Sequence, residues 1–504
     1  MSSAEDQLQG KEWDVVVVGA GNAAMCAAFA AQDAGASVLV LEAAPEAECG
    51  GNSAFTGGAT RFVFNNVDEV REVLDLTDEE VAITDFGTYT GADFLEDMGR
   101  LTQYRCDPDL TEIFIQRSRE TLAWMKRKGV RFEAMYARQS QKVDGRFKFY
   151  AGLICATWGA GQGLVEGLHQ IARKNGIPVT YETPAVSLIR ENGAVRGVIA
   201  EVRGQEVKIR ARAVVLACGG FESNAEMRAR YLGPNWDLAK VRGTRFNMGD
   251  GIRMALAAGA MPFGHWSGAH AVGWDLNAPP YGEREIGDLF QKHSYIFGLM
   301  INADGKRFVD EGADFRNFTY AKYGLEVLKQ PGMFAWQIFD AKVTHLLRHE
   351  YQIRKITKVE AQTLPELVKK LDGVNATQCL RTIEEYNKAV RQDVPFNPVI
   401  RDGRGTQGLE IPKTNWATTI DTPPFHAYAI TCGITFTFGG VQISRHAAVQ
   451  SVSGRDIPGL FAAGEMVGGL FYYNYPSGTG LVSGAVFGRI AGTQAATYAK
   501  SIAR

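Results

Sequence analysis

The stretch Asp14-Val15-Val16-Val17-Val18-Gly19-Ala20-Gly21-Asn22-Ala23-Ala24 decides the fold. A run of valines bounded by glycine reads as a fully buried strand of a parallel sheet. The residues from Gly19 to Ala24 fit the pattern Gly-x-Gly-x-x-Gly/Ala, with Ala24 in the third place. There the first glycine allows a tight turn and the second lets the backbone approach a pyrophosphate. The small third residue lets the following helix pack closely, with its positive end toward the phosphates. Helix-compatible sequence follows from Asn22 to about Ala34, and Ser37 to Leu41 reads as a second buried strand. Glu42, at the end of that strand, is placed to accept hydrogen bonds from ribose hydroxyls. Strand, turn, helix, strand and acid together predict a dinucleotide site; the pattern alone does not separate NAD from FAD.

Working outward, a chain of 504 residues builds more than one sizeable core, and two domains are the expectation from length. Its 45% hydrophobic and 22% charged residues are those of a soluble globular protein. A net charge of -2 offers no electrostatic footprint for nucleic acid or an anionic membrane, so function has to come from a pocket. The 7 cysteines are scattered and include no Cys-x-x-Cys pair, which predicts reduced thiols in a cytoplasm and no metal site. Met1 to Lys11 is polar and acidic, unlike a secretory signal, and no apolar run is long enough to span a membrane.

Between Asp68 and Asp97 eleven acidic residues stand against one base, Arg71, a pattern of solvated helical faces. Residues Leu110 to Lys128 carry apolar side chains at helical spacing and end in Lys126-Arg127-Lys128-Gly129, suited to a helix C-terminus. Short strands are expected over 185–199 and 207–216, the last running into another glycine turn, Ala217-Cys218-Gly219-Gly220. From about His265 the composition changes: aromatics and histidines become denser, and Leu364 to Leu371 and Leu380 to Val390 look helical. The expected architecture is therefore α/β: a doubly wound, Rossmann-like domain formed by 1–264 and 426–504, with an inserted α+β capping domain at 265–425. Leu460 to Glu465 reads as a returning strand and turn.

Beyond the fingerprint, Cys49-Gly50-Gly51-Asn52-Ser53, Gly161-Gln162-Gly163-Leu164, Ala217-Cys218-Gly219-Gly220-Phe221, Gly305 to Glu311 and Gly439-Gly440-Val441 occur in a telling order and spacing. They resemble the flavoprotein superfamily of fumarate reductase and succinate dehydrogenase over nearly the whole chain. Through Glu311 to Asn317 and Asn474-Tyr475-Pro476 the chain is most similar within it to the tricarballylate dehydrogenase group. The resemblance implies FAD, with a capping domain closing substrate against the flavin ring. It implies cofactor contacts at Gly19, Gly21, Asn22, Ala23 and Glu42, at Gly51, Asn52, Ser53, Gly57 and Gly58, and at Ala185, Val186, Ala217 and Gly219. Further contacts are implied at Gly464, Glu465, Ser477, Gly480, Leu481 and Val482. Covalent members carry a histidine near the early glycine cluster; here Gly51 to Gly57 has none, so non-covalent FAD is expected. The helix starting near Gly480-Leu481 would aim its amides at the flavin edge where negative charge builds on reduction.

The same resemblance aligns Arg316 with the proton-transfer arginine of the reductases and His270 with a substrate-binding histidine. Two departures stand out: Phe436 occupies a carboxylate-binding histidine position, beside Thr435, and Tyr475 occupies an arginine position, beside Tyr472 and Tyr473. Tyr475-Pro476-Ser477-Gly478 also resembles the segment with which ketosteroid Δ1-dehydrogenases polarise a ring ketone. A phenol donates to a developing enolate without carrying charge, which suits a ketone better than a carboxylate. Of Lys292, His293, Ser294 and Tyr295, Tyr295 is the expected pocket residue, and Phe55, Phe62, Phe64, Tyr150 and Trp158 are candidates for an apolar wall.

The expected activity is an FAD-dependent desaturase acting on a CH–CH bond next to a carbonyl. Its substrate would be a small carboxylate-bearing compound, represented by the cyclic keto acid 4-oxocyclohexanecarboxylate. The alternatives are a tricarballylate dehydrogenase, a soluble ene-reductase like fumarate reductase, and a non-catalytic flavin electron carrier. Electrons would leave to oxygen, a quinone or a separate redox protein, since the chain has no Cys-x-x-Cys-His haem attachment.

Overall fold

The computed structural model describes residues 10–502. Most of the polar N-terminal segment read above as unlike a secretory signal therefore lies outside the described residues. Strand β1 (Trp13–Val18) leads through the glycine turn into helix α1 (Asn22–Asp33) and strand β2 (Val38–Leu41). β1 runs parallel between β2 and a long strand, β3 (Gln205–Leu216), with Val16 opposite Leu39 on one side and Val214 on the other. Val15, Val16 and Val17 have no exposed surface, as a valine run covered on both faces requires.

β3 does two jobs. Its last residues pair in parallel with the returning strand Asp456–Ala462, whereas its first half pairs antiparallel with Ala194–Val202, itself paired with Ala185–Glu191. With Val179–Thr180 and Ala448–Gln450 at its margins this sheet has eight strands.

A second sheet, of six strands, is organised by two long ones, β4 (Pro262–Asp275) and β5 (Phe425–Val441). β5 pairs antiparallel with β4, Phe334–Phe339 and Lys358–Ala361, and in parallel with Lys240–Val241. The breaks expected at 264/265 and 425/426 fall inside β4 and at the start of β5, so strands of this second sheet extend to both sides of them.

Helix α2 (Thr479–Ser501) lies along α1. A Cβ on Gly488 would overlap the Ala23 carbonyl and one on Gly492 the Ala27 carbonyl, so glycine there permits the close crossing. The acid-rich stretch forms three short helices, Val67–Arg71, Asp78–Ala82 and Gly91–Leu101, the last two opened by capping boxes at Thr77 and Thr90. The predicted helix ending at Lys128 begins at Pro108, capped by Asp107, and ends at Gly129 in the left-handed region. Among the described residues no helix is long and apolar enough to cross a membrane, and no cluster of His, Cys, Asp or Glu could hold a metal.

Candidate active site

One continuous cavity runs from the β1–α1 turn to the second sheet. Its first half is made largely of backbone. Gly19, Gly21, Asn22, Ala23, Glu42, Gly51, Asn52, Ser53, Gly57, Ala185, Ala217, Gly219, Gly464, Glu465, Ser477, Gly480 and Leu481 all line it. Gly19 sits at φ 103°, and a Cβ there would overlap the Ala217 carbonyl. Neither α1 nor α2 is capped by its N-cap residue, a glycine in both; Asn22 N–H donates to Ser53 Oγ (3.0 Å) and Gly480 N–H to a tyrosine hydroxyl, and the other amides of the first turns are left for an anionic ligand. The Asn22 side chain donates to the Leu481 carbonyl (2.8 Å) and so ties the two starts together, while its Oδ1 is buried without a partner. Glu42 accepts the amide N–H groups of Ala20 (3.0 Å) and Ala44 (2.9 Å), which fixes the turn beside which a ribose would lie. Burial drives the Glu42 pKa upward against those amides. A cradle of glycines, two helix starts and an unpartnered amide oxygen fits FAD.

Three residues expected on the cofactor do not line this cavity. Val186 points outward and is exposed, and Val482 is buried in the core on the first turn of α2. Gly58, at φ 70°, makes a turn against Thr157 and Ala160.

The second half of the cavity is built from side chains. Tyr475 lies near Phe436 (ring centroids 5.3 Å), Phe471 (5.2 Å) and His270 (5.0 Å), all edge-on to it. Its Oη accepts the Gly480 N–H at the start of α2 (3.1 Å), which leaves the phenolic proton free to be donated. His270 is cross-strand from Phe436 and stacked on it (5.1 Å), at an irregularity of the β4–β5 ladder of the kind that re-aims side chains. Tyr320 stands edge-on between His270 (4.9 Å) and His293 (4.8 Å).

Arg316 is brought to this cluster by bonds between distant loops. Asn474 donates to the Phe318 carbonyl (2.7 Å) and the Ser477 N–H to the Asn317 carbonyl (3.0 Å), bolting the Tyr475 loop to the Arg316 turn. The fully buried Arg61 donates to the Ser477 carbonyl (3.0 Å) from the other side. Arg316 itself donates to Gln139 (2.8 Å) and has no carboxylate partner among the described residues.

Three further arginines line the cavity, and local sequence pattern gave no sign of them. Arg242 is paired with Asp288 (2.5 Å) and donates to Thr435 Oγ1 (3.1 Å). Arg138 shares Asp288 at 3.4 Å and donates to the Gly57 carbonyl (2.9 Å). Arg348 is held by Glu350 at 3.1 Å. Four guanidinium groups thus face two carboxylates, an excess of two positive charges around the substrate space. Burial, then the field of Arg348, lowers the Arg316 pKa to about 10, so it still carries its proton at neutral pH. Burial holds His270 and His293 well below the ordinary histidine range, with Arg242 adding to the effect at His270 and Arg316 and Arg348 at His293. Both imidazoles are therefore neutral, and both ring nitrogens of His293 and Nδ1 of His270 are buried without a partner.

Several expected residues lie elsewhere. Tyr295 is buried and bonded to Thr319 Oγ1 (2.7 Å) outside the cavity; its neighbour His293, from the same short segment, is the one that lines it. The 3-10 turn Ser294–Phe297 rotates successive side chains apart, which residue type could not reveal. Lys292 is buried and spends its ammonium on the carbonyls of Phe290 (3.0 Å) and Gln291 (3.2 Å). Tyr472 stacks on His265 (5.7 Å) and Tyr473 is largely exposed with φ 61°, both off the cavity wall. None of the aromatics proposed as an apolar wall lines it: Phe55, Phe62 and Phe64 are core, Tyr150 stacks on Phe315, and Trp158 is exposed beneath Arg131. The apolar wall is instead Phe436, Phe438 and Phe471.

A dinucleotide cradle on a mixed α/β sheet, continuous with a buried polar site, defines an FAD-binding flavoprotein fold. The family model described as "FAD binding domain" matches residues 14–481, and the chain belongs to that family. The probable fumarate reductase Ifc3 of Shewanella frigidimarina is 29% identical over 96% of this chain and 75% of its own length. A 3-oxosteroid 1-dehydrogenase of Mycobacterium tuberculosis is 26% identical over 97% of this chain and 99% of its own. The open conformation of a flavocytochrome c3 fumarate reductase superposes with a TM-score of 0.72 at 26% identity, covering 99% of this chain and 80% of that one. The protein is an FAD-dependent oxidoreductase.

Proposed function

We propose that the protein is a desaturase: it removes two hydrogens from adjacent carbons next to a carbonyl of a small carboxylate-bearing substrate, represented by 4-oxocyclohexanecarboxylate. FAD is held non-covalently by the glycine cradle and, when bound, supplies the two-electron oxidant that takes the β-hydrogen. The observation that carries this reading is the Tyr475 hydroxyl, whose lone pair is engaged by the Gly480 N–H and whose proton is therefore available to a ketone oxygen. Donation there stabilises the enolate that forms as the α-proton passes to the neutral His270 imidazole, whose Nδ1 has no partner among the described residues. Arg316, without a carboxylate of its own, serves the acid end of the substrate or passes a proton. Phe436, Phe438 and Phe471 cover an alicyclic ring and keep water from the reacting carbons.

The names of the relatives support both ends of this reading, since they include reductases of a dicarboxylate and dehydrogenases of a 3-oxosteroid. The electron acceptor is proposed to be oxygen, a quinone or a separate redox protein. A second reading is favoured by the excess of two positive charges: a polycarboxylate such as tricarballylate would balance them without needing a ketone. Product analysis separates the two. Turnover with an artificial acceptor is expected to give the enone conjugated with the ketone, seen by its ultraviolet band and by NMR. Turnover of tricarballylate with none of the keto acid would reject the first reading.

A further inference from the structure

We infer that Arg348 and His293 form a carboxylate-holding corner of the cavity, separate from Arg316 and opposite in chemistry to the Tyr475 corner. The inference deepens the proposed reading and takes from it only that the substrate occupies this cavity. Arg348 comes from a turn remote in sequence from the others and is fixed at both ends. Its backbone N–H donates to Ser294 Oγ (3.1 Å), next to His293, and its Nε is held by the buried Glu350 (3.1 Å). Ser294 N–H in turn donates to the Tyr351 hydroxyl (2.9 Å), so the two turns are bolted together twice. What remains over is the ligand-binding part. Among the described residues, Arg348 Nη1 is buried with no partner, and both nitrogens of His293, only 2% exposed, are likewise unpartnered.

A guanidinium held at Nε with a free terminal N–H, next to an imidazole able to donate one hydrogen, matches the two oxygens of a carboxylate. The alternative is three buried polar atoms left without partners. The charged and titratable groups around His293 are Arg316, Arg348, Arg242 and His270, with Tyr320 packed on its edge. The acids of the corner, Glu350 and Asp288, are already paired with Arg348 and with Arg242 and Arg138, which leaves Arg316 and one excess guanidinium to be balanced by an anion. Tyr475, on the far side of His270 and Tyr320, offers only a neutral donor. The substrate class is thereby narrowed to compounds with a carboxylate at one end and, at the other, a group that accepts a hydrogen bond.

The test uses the FAD-loaded protein and three non-reacting or half-matched probes: cyclohexanecarboxylate, cyclohexanone and tricarballylate, each titrated under air while the flavin absorbance shift is followed. Removing Arg348 alone would strand Glu350, so the variant is the charge-neutral pair Arg348→Gln/Glu350→Gln. His293→Leu is the second variant, and it decides the matter if the pair does not fold. At least tenfold weaker binding of cyclohexanecarboxylate and tricarballylate is expected, on the order of 1.4 kcal/mol, with cyclohexanone unchanged. Carboxylate binding within about twofold of wild type in whichever variant folds, or no flavin shift by either carboxylate in wild type, would overturn the inference. If Tyr475→Phe leaves cyclohexanone binding intact while the carboxylate loss stands, the keto-acid reading falls and the corner survives.

Discussion

The two halves of the cavity are made by different means. The cofactor half is backbone: glycines, turn carbonyls and two helix starts, grouped in short runs of sequence around Gly19, Gly51, Gly219 and Gly480. The other half is side chain: Arg138, Arg242, His270, Asp288, His293, Arg316, Arg348, Phe436 and Tyr475, drawn one or two at a time from separate segments. Backbone sites need particular φ values and close approaches, which only particular residues at fixed spacing allow, so they leave local motifs. Side-chain sites need only that distant loops be held together, and the bonds that do so here, such as Asn474 to Phe318, carry no local signature.

If that contrast is right, the largest effect of any single change belongs to the backbone half. Gly19→Val is expected to abolish FAD binding, because a Cβ at φ 103° would overlap the Ala217 carbonyl. The measurement is the flavin-to-protein absorbance ratio of the purified variant. Arg316→Ala should keep its flavin and lose about 10²–10⁴-fold in kcat, the range for removing a proton-transfer or charge-stabilising group. Retained flavin with unchanged kcat would remove Arg316 from the chemistry. Tyr475→Phe should cost about 10²-fold in kcat with a ketone substrate, as for loss of one donor to a developing oxyanion, and leave the KM for carboxylate-only compounds nearly unchanged.

A smaller effect comes from the neutral histidines. His270 and His293 take up protons in the unfolded chain near pH 6.5 but resist them when buried and folded. The unfolded state therefore binds more protons below that pH, and stability must fall as the pH drops beneath it. Each histidine contributes a slope of about 1.4 kcal/mol per pH unit in that window. Chemical denaturation at pH 7 and pH 5.5 should show the loss, and His293→Gln should show less of it. The smallest effect is expected at Tyr295→Phe, outside the cavity, where kcat should stay within about twofold and only the bond to Thr319, worth about 1 kcal/mol, is lost.

Much of the fold was legible because it follows from periodicity and glycine spacing. β1, α1 and β2 lie within a residue or two of their expected bounds, and the helix ending at Lys128 stops where its basic turn and Gly129 imply. The strands β4 and β5 were not read as one sheet, since a sheet organised by two long antiparallel strands with irregular register alternates poorly. Arg316, Tyr475, His270 and Phe436 were singled out through resemblance to reductase positions, and they line one cavity. Arg348 stands in Leu346-Leu347-Arg348-His349-Glu350-Tyr351, a segment without a motif, so nothing local marked it. Tyr295 failed for the opposite reason: residue type favoured it over His293, and only the turn decides which of them faces inward.

The proposed oxidation of a saturated carbon pair beside a carbonyl can be observed on the flavin itself. The most direct measurement is anaerobic titration of the oxidised FAD enzyme with 4-oxocyclohexanecarboxylate, following the flavin band. Bleaching by the saturated keto acid in proportion to added substrate is expected of a desaturase. No bleaching by it, together with rapid reoxidation of chemically reduced enzyme by an enone or enoate, would identify a reductase instead.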